Sequence, residues 1–242
     1  MKCFWIFAMA AVALSMGCSN RHVAAPALHA TAAGAALVES SGGKQLGSPG
    51  TTLAQPLVVQ VNDKQGNSVT GSLVNFSGPA GVAFDPPQVV TDSSGQASTQ
   101  VRLGSMAGRY DLTASSADAG GKAFVLTVTE FAAGYQQQLG HELEETYCVR
   151  CHDPESTTQR VSNYENLAVK PHPFSEGDAL NKMSDSDLRA VISYGGQSMN
   201  MAPLMPPYGA SLTKPEVQAL IAYIRLVADP PYKPAGVVYA KR

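Results

Sequence analysis

Apolar and polar positions follow distinct regimes along the 242-residue chain. After Met1-Lys2, an almost unbroken apolar run extends to Leu14. The run is shorter than the roughly 20 residues a membrane-spanning helix needs, and its charged start reads as a secretory signal over residues 1–17. Residues 18–39 are rich in alanine, with His22, Pro26 and His29 scattered through them and no period, the pattern of a flexible tether. From residue 40 to 132 short β-rich runs are separated by turn residues. The runs are Leu57–Val61, Ser72–Phe76, Val89–Thr91, Ala97–Leu103, Arg109–Ala114 and Phe124–Val128. Asp92-Ser93-Ser94-Gly95 is placed as a hairpin loop between two of them. Short strands at regular spacing over this length predict a β-sandwich.

The spacing becomes helical from residue 133 to 229. Residues 140–147 predict a helix running into Cys148. Ser184-Asp185-Ser186-Asp187 opens a second helix, which Gly195-Gly196 ends. Thr213-Lys214-Pro215-Glu216 is a capping box with proline in the first turn. The helix it starts carries Val217, Leu220, Ile221 and Ile224 on one apolar stripe. Residues 230–242 form a proline-rich tail expected to lie extended on the surface or to stay mobile.

Charge narrows the partners. With a formal net charge of -2 the chain has no basic excess for nucleic acid. The four cysteines narrow the chemistry further. Cys3 and Cys18 fall in the leader and at its end, leaving Cys148 and Cys151, so no pair remains for a structural disulfide. Those two stand in Cys148-Val149-Arg150-Cys151-His152, and C-x-x-C-H is the attachment sequence for c-type haem. Two thiols one turn apart can each form a thioether with a haem vinyl group, while the histidine supplies an axial ligand to iron. A thioredoxin-type C-x-x-C would need a βαβ context, and a zinc site would need a second ligand pair. Neither is visible. Candidates for the sixth ligand cluster in Met199-Asn200-Met201-Ala202-Pro203-Leu204-Met205-Pro206-Pro207. Prolines stiffen the loop around Met205, which suits a ligand that must hold still. Met199, Met201, His172 and His141 remain alternatives.

Three resemblances add to these readings. Leu14-Ser15-Met16-Gly17-Cys18-Ser19 resembles the lipobox of bacterial lipoproteins, although Ser15 and Met16 depart from the usual pattern. It implies lipidation of Cys18 and a membrane anchor, with Ser19 favouring the outer membrane. Pro56–Asp63, Gly66-Asn67, Gly71, Phe76, Thr91-Asp92 and Gly95-Gln96-Ala97 resemble the bacterial immunoglobulin-like domains of intimin and invasin. In that family such domains commonly act as stalks, so a spacer is the expected role, with a docking surface for a partner as the alternative. Gly140, Leu143, the C-x-x-C-H, Met205-Pro206-Pro207 and Leu212 through Ile224 resemble a class I c-type cytochrome. That resemblance implies crossing terminal helices at Gly140 and Tyr223, with His152 and Met205 as axial ligands. Glu144 departs from the aromatic residue often found four places before the first cysteine.

The expected architecture is therefore an all-β immunoglobulin-like sandwich followed by an all-α cytochrome c fold. The expected function is a membrane-tethered electron carrier of the periplasm, with one covalent haem c. Its partners would be redox proteins, or a dehydrogenase or oxidase of which it is a subunit. With both axial positions filled it would not be an enzyme. A haem sensor or enzyme with a displaceable distal methionine is the remaining alternative.

Overall fold

A computed structural model describes residues 32–156 and 161–234. The stretch read as a secretory leader, Cys18, most of the stretch read as a tether and the residues beyond 234 lie outside the described residues.

Nine strands build two facing sheets. They are β1 (Ala36–Ser41), β2 (Leu46–Gly47), β3 (Leu57–Asn62), β4 (Leu73–Ser77), β5 (Ala83–Asp85), β6 (Gln88–Val90), β7 (Gln96–Arg102), β8 (Gly108–Ala117) and β9 (Ala123–Ala132). One sheet has the order β1-β3-β7-β5 and the other β2-β9-β8-β4-β6. Alternation makes the core: Leu57, Val59 and Val61 of β3 face Val74, Leu112 and Val128 of the second sheet inside one buried cluster. Tyr110 donates from its hydroxyl to the Met106 carbonyl (2.7 Å), pinning the turn before β8 as a tyrosine corner does. The Asp92 loop is a tight turn but not the expected hairpin: Gly95 takes φ 77° and Asp92 accepts from the backbone N–H of Ser94 and Gln96, yet the loop joins β6 of one sheet to β7 of the other, and these two strands pair with β4 and with β3 and β5 instead.

Two boundaries differ from the sequence reading. β1 begins at Ala36, inside the stretch assigned to the tether, and pairs antiparallel with β3. Alanines there gave no alternating signal, yet the free edge of β3 and the buried side chain of Leu37 make the segment a strand. β2 and β5 are two and three residues long, too short to show a period. The start of the tail is packed as well. The Arg225 guanidinium lies 3.8 Å from the centre of the Tyr232 ring, and Asn181 donates to the Pro230 carbonyl (2.8 Å).

The helical domain contains α1 (Tyr135–Tyr147), α2 (Val149–His152), α3 (Gly177–Leu180), α4 (Asp185–Tyr194) and α5 (Lys214–Val227). Capping boxes at Ser184/Asp187 and Thr213/Glu216 start α4 and α5 as expected. α1 crosses α5 at Gly140. A β-carbon there would lie 2.2 Å from the Ala219 carbonyl oxygen and 2.7 Å from the Tyr223 β-carbon, so only hydrogen fits. Val217, Leu220, Ile221 and Ile224 of α5 are buried against Leu143, Leu188 and Ile192.

The two domains join without a linker. β9 ends at Ala132 and α1 begins at Tyr135, and Ala132 and Ala133 are fully buried. Arg109 of β8 bonds Asp111 (3.0 Å) and Thr129 (3.0 Å) and reaches across to the Ala228 carbonyl (3.3 Å) and Asp229 (3.5 Å). Gln138 of α1 donates to the Ser48 hydroxyl (2.6 Å).

Among the buried polar residues of the sandwich, one carries a carboxyl group. Glu130 of β9 is fully buried; its Oε2 accepts from the Gln45 N–H (2.7 Å), and its Oε1 has no hydrogen-bond partner. Burial pushes its pKa up to about 8, with a smaller push from Glu39.

Two predictions follow from these contacts. Gly140→Ala should lower the stability of the helical domain by about 1–3 kcal/mol through overpacking, read as a lower denaturant midpoint of the helical far-UV signal. Glu130 binds its proton more tightly folded than unfolded, so its contribution to stability is lost as pH rises from the ordinary carboxyl range towards 8. Unfolding of Glu130→Gln at several pH values should lack that decline, gaining on the order of 1–3 kcal/mol relative to the parent above the window.

Candidate haem site

The end of α1 builds the cysteine turn. The Cys148 N–H donates to the Glu144 carbonyl (2.9 Å) and closes the helix. The Cys148 carbonyl then accepts from the N–H groups of Cys151 (3.0 Å) and His152 (2.9 Å), which makes α2. One turn thus carries two thiols and an imidazole. Both thiols are unpaired; Cys148 is buried and Cys151 half-buried. Burial foremost, then the charges of Glu144 and Cys151, pushes the Cys148 thiol up to about 12.

His152 is held in one tautomer. Its Nδ1 lies 2.8 Å from the His172 carbonyl, and because a carbonyl can only accept, Nδ1 carries the proton. The lone pair of Nε2 is left for a metal. Burial lowers the imidazole's pKa against the opposing pull of that carbonyl, which favours the neutral form. The ring packs 5.0 Å from that of Phe174.

The methionine loop follows α4. Gly195 (φ 81°) ends that helix, and Asn200 takes a left-handed φ of 55° after a 3-10 turn at Gly196–Met199. The Gly196 N–H donates to the Met205 carbonyl (3.1 Å), and a β-carbon at Gly196 would lie 2.1 Å from the Ala202 carbonyl oxygen. The loop is therefore folded back tightly, and glycine is required where it doubles. Met205 and Met199 are partly buried and pack on the apolar cluster that contains Cys148. Met201 is 45% exposed. The Tyr208 hydroxyl donates to the Tyr147 carbonyl (3.0 Å), and the two rings meet edge to face at 5.9 Å, tying the loop to the residue before Cys148.

The structure separates the other candidates from this cluster. The His172 imidazole is exposed and 2.9 Å from Glu176, while its carbonyl serves His152. His141 packs against Tyr223 with ring centres 5.1 Å apart and lines a cleft of about 730 Å³ between the domains. His152, Glu144 and Phe174 also line that cleft, opposite Lys44, Arg109 and Phe131 of the sandwich. The orienting carbonyl of His172 was not legible in the sequence, since a backbone group has no residue signature. Glu144 showed only as a departure from an aromatic; it is buried, and its carboxylate is 3.7 Å from His141 Nδ1.

The donor set suits a c-type haem: two free thiols in one turn, an imidazole with its outer nitrogen available, and thioethers packed on the same apolar cluster. Residues 136–224 match the family model for cytochrome c oxidase, cbb3-type, subunit III. This segment is a c-type cytochrome domain. A domain of this kind supports haem-based electron transfer.

The sandwich ahead of the cytochrome domain resembles intimin and invasin domains. The D00-D0 domain of intimin is 14% identical over 43% of this chain and 50% of that one, with a TM-score of 0.32. Invasin, a bacterial integrin-binding protein, is 15% identical over 43% of this chain and 21% of its own, with a TM-score of 0.30. The Yersinia pseudotuberculosis adhesin InvE is 16% identical over 40% of this chain and 32% of its own, at 0.29. This chain thus spans half or less of each of these structures. No curated protein matches the sequence. No described helix is long and apolar enough to cross a membrane.

Proposed function

We propose that the protein is a membrane-tethered, mono-haem electron carrier working outside the cytoplasm. Cys148 and Cys151 would attach the porphyrin, and His152 and Met205 would be the residues that hold its iron. The observation that carries this reading is His152, neutral and aimed by the His172 carbonyl, in the same turn as two free thiols. Bound there, haem supplies a single iron that gains and loses one electron. The chain supplies everything that keeps this change small. The Nδ1–H bond holds the imidazole plane, the doubled loop at Gly196 holds Met205, and the Tyr208–Tyr147 bond joins the two halves. A thioether ligand favours the reduced state and raises the potential relative to a second histidine.

Partners would be other redox proteins meeting a small, transient interface. The name of the matching family model favours a second version of this reading, in which the chain is the cytochrome subunit of an oxidase. Co-purification with a larger complex would distinguish it from a free carrier. Lipidation of Cys18 would supply the membrane anchor.

Haem should remain on the chain in a denaturing gel and stain there, and the stain should be lost in the Cys148→Ala/Cys151→Ala double variant. A far-red sulfur-to-iron band in the oxidised protein should disappear in Met205→Ala and persist in Met201→Ala. Carbon monoxide should not bind the reduced parent under mild conditions; ready binding would favour a sensor instead. Cys18→Ala should move the protein from the membrane fraction to the soluble one.

A further inference from the structure

Glu144 is an anomaly: a carboxylate in a helix crossing, with its side chain 10% exposed, four residues before Cys148. Burying such a charge is costly unless an opposite charge lies close. The candidate beside it is His141, one turn earlier on α1. Its Nδ1 is 3.7 Å from Glu144 Oε2, too far for a good hydrogen bond and near enough for strong attraction once the ring is charged. Nδ1 is shielded from solvent and has no hydrogen-bond partner. The ring as a whole is 35% exposed and opens on the interdomain cleft, so protons can reach it from water. His152 lines the same cleft. Glu144 also acts on the haem side of α1, since its charge pushes the Cys148 thiol and the His152 imidazole towards their protonated forms.

We propose that His141, paired with Glu144, is a redox-linked proton site: its imidazole takes up a proton from water when the cytochrome domain gains an electron and returns it on oxidation. The inference rests on the haem reading above. Reduction adds one electron from the donor and removes one positive charge near Cys148 and His152. The oxidised centre repels a proton on His141 more than the reduced one does, so the imidazolium is favoured after reduction. By linkage, the same coupling makes the reduction potential depend on pH.

The charges around His141 set the pH window. Glu144 foremost, with Glu145 and Glu142 on the same helix, holds its pKa above the ordinary 6.5 against the cost of burial. Tyr223 packs on it from α5. Across the cleft stand Lys44, Arg109 and Glu39 of the sandwich, and nearer the cysteine turn Asp153, Glu155 and Asp229. Arg109 is already engaged with Asp111 and Asp229. In the acid range His141 is protonated in both redox states and the potential is flat. Above the ordinary histidine range the oxidised form loses the proton first, so the potential falls as pH rises until the reduced form loses it too.

The test is a potentiometric titration of the full-length haem protein between about pH 5 and about pH 9, alongside His141→Asn, Glu144→Gln and Glu130→Gln. The parent should show a potential that falls with pH above the histidine range. His141→Asn should abolish that slope. Glu144→Gln should move it to lower pH and raise the potential at all pH values, because a carboxylate that acts on Cys148 and His152 is removed. Glu130→Gln, which removes the sandwich acid that titrates near the same range, should keep the slope. NMR of the parent provides a second readout that needs no variant to fold: the His141 ring should titrate at higher pH in the reduced than in the oxidised protein. A haem protein with a flat potential, a slope that survives His141→Asn, or identical His141 titration in both states overturns the proposal alone. Absence of covalent haem overturns the functional reading and this inference with it.

Discussion

Everything in the cytochrome domain depends on how closely α1 approaches α5. A hydrogen at Gly140 lets the backbone of one helix rest against the Ala219 carbonyl and Tyr223 of the other. That contact sets the direction in which α1 arrives at Cys148, and so the direction of both thiols and of His152. A side chain at residue 140 would force the helices apart. The attachment turn would then move relative to the apolar cluster on which Met205 packs. The rest of the site is built from local backbone bonds: the Cys148 carbonyl taken twice, the His172 carbonyl taken by Nδ1, and the Met205 carbonyl taken by Gly196.

The sandwich is more closely integrated than a spacer requires. Two residues separate β9 from α1, and the alanines at the join are fully buried. Arg109 draws its bonds from both sides of the boundary, with Asp111 and Thr129 in its own sheet and Ala228 and Asp229 after α5. A planar guanidinium with five donors can serve such a set where an ammonium would not. The cleft that results has His141 and Glu144 on one wall and the outer face of β8 and β9 on the other. The sandwich thus shapes the surroundings of the helix that leads into the cysteine turn.

Two buried acids meet the cost of burial in different ways. Glu130 has one backbone donor and one orphaned oxygen, so its site favours the neutral acid. Glu144 instead has the His141 imidazole 3.7 Å from its carboxyl group.

Much of this was determined by sequence alone, for local reasons. C-x-x-C-H names its chemistry because one short turn must meet a rigid ring at fixed points. Short β-rich runs between turn residues announced β3, β7 and β8, and the Thr213/Glu216 box marked the start of α5, because such patterns depend on neighbours within a few residues. Tertiary structure alone decided the rest. Ala36–Ser41 became a strand because β3 offered an unpaired edge. The carbonyl of His172 became the partner of His152 across 20 residues of chain, by a backbone atom that no residue type encodes. Met205 and Met199 pack on the cluster with Cys148 while Met201 turns outward, although all three share one loop. Burial, pairing and the aim of a carbonyl are properties of distance in space. A linear pattern can propose the atoms, but the fold decides which of them meet.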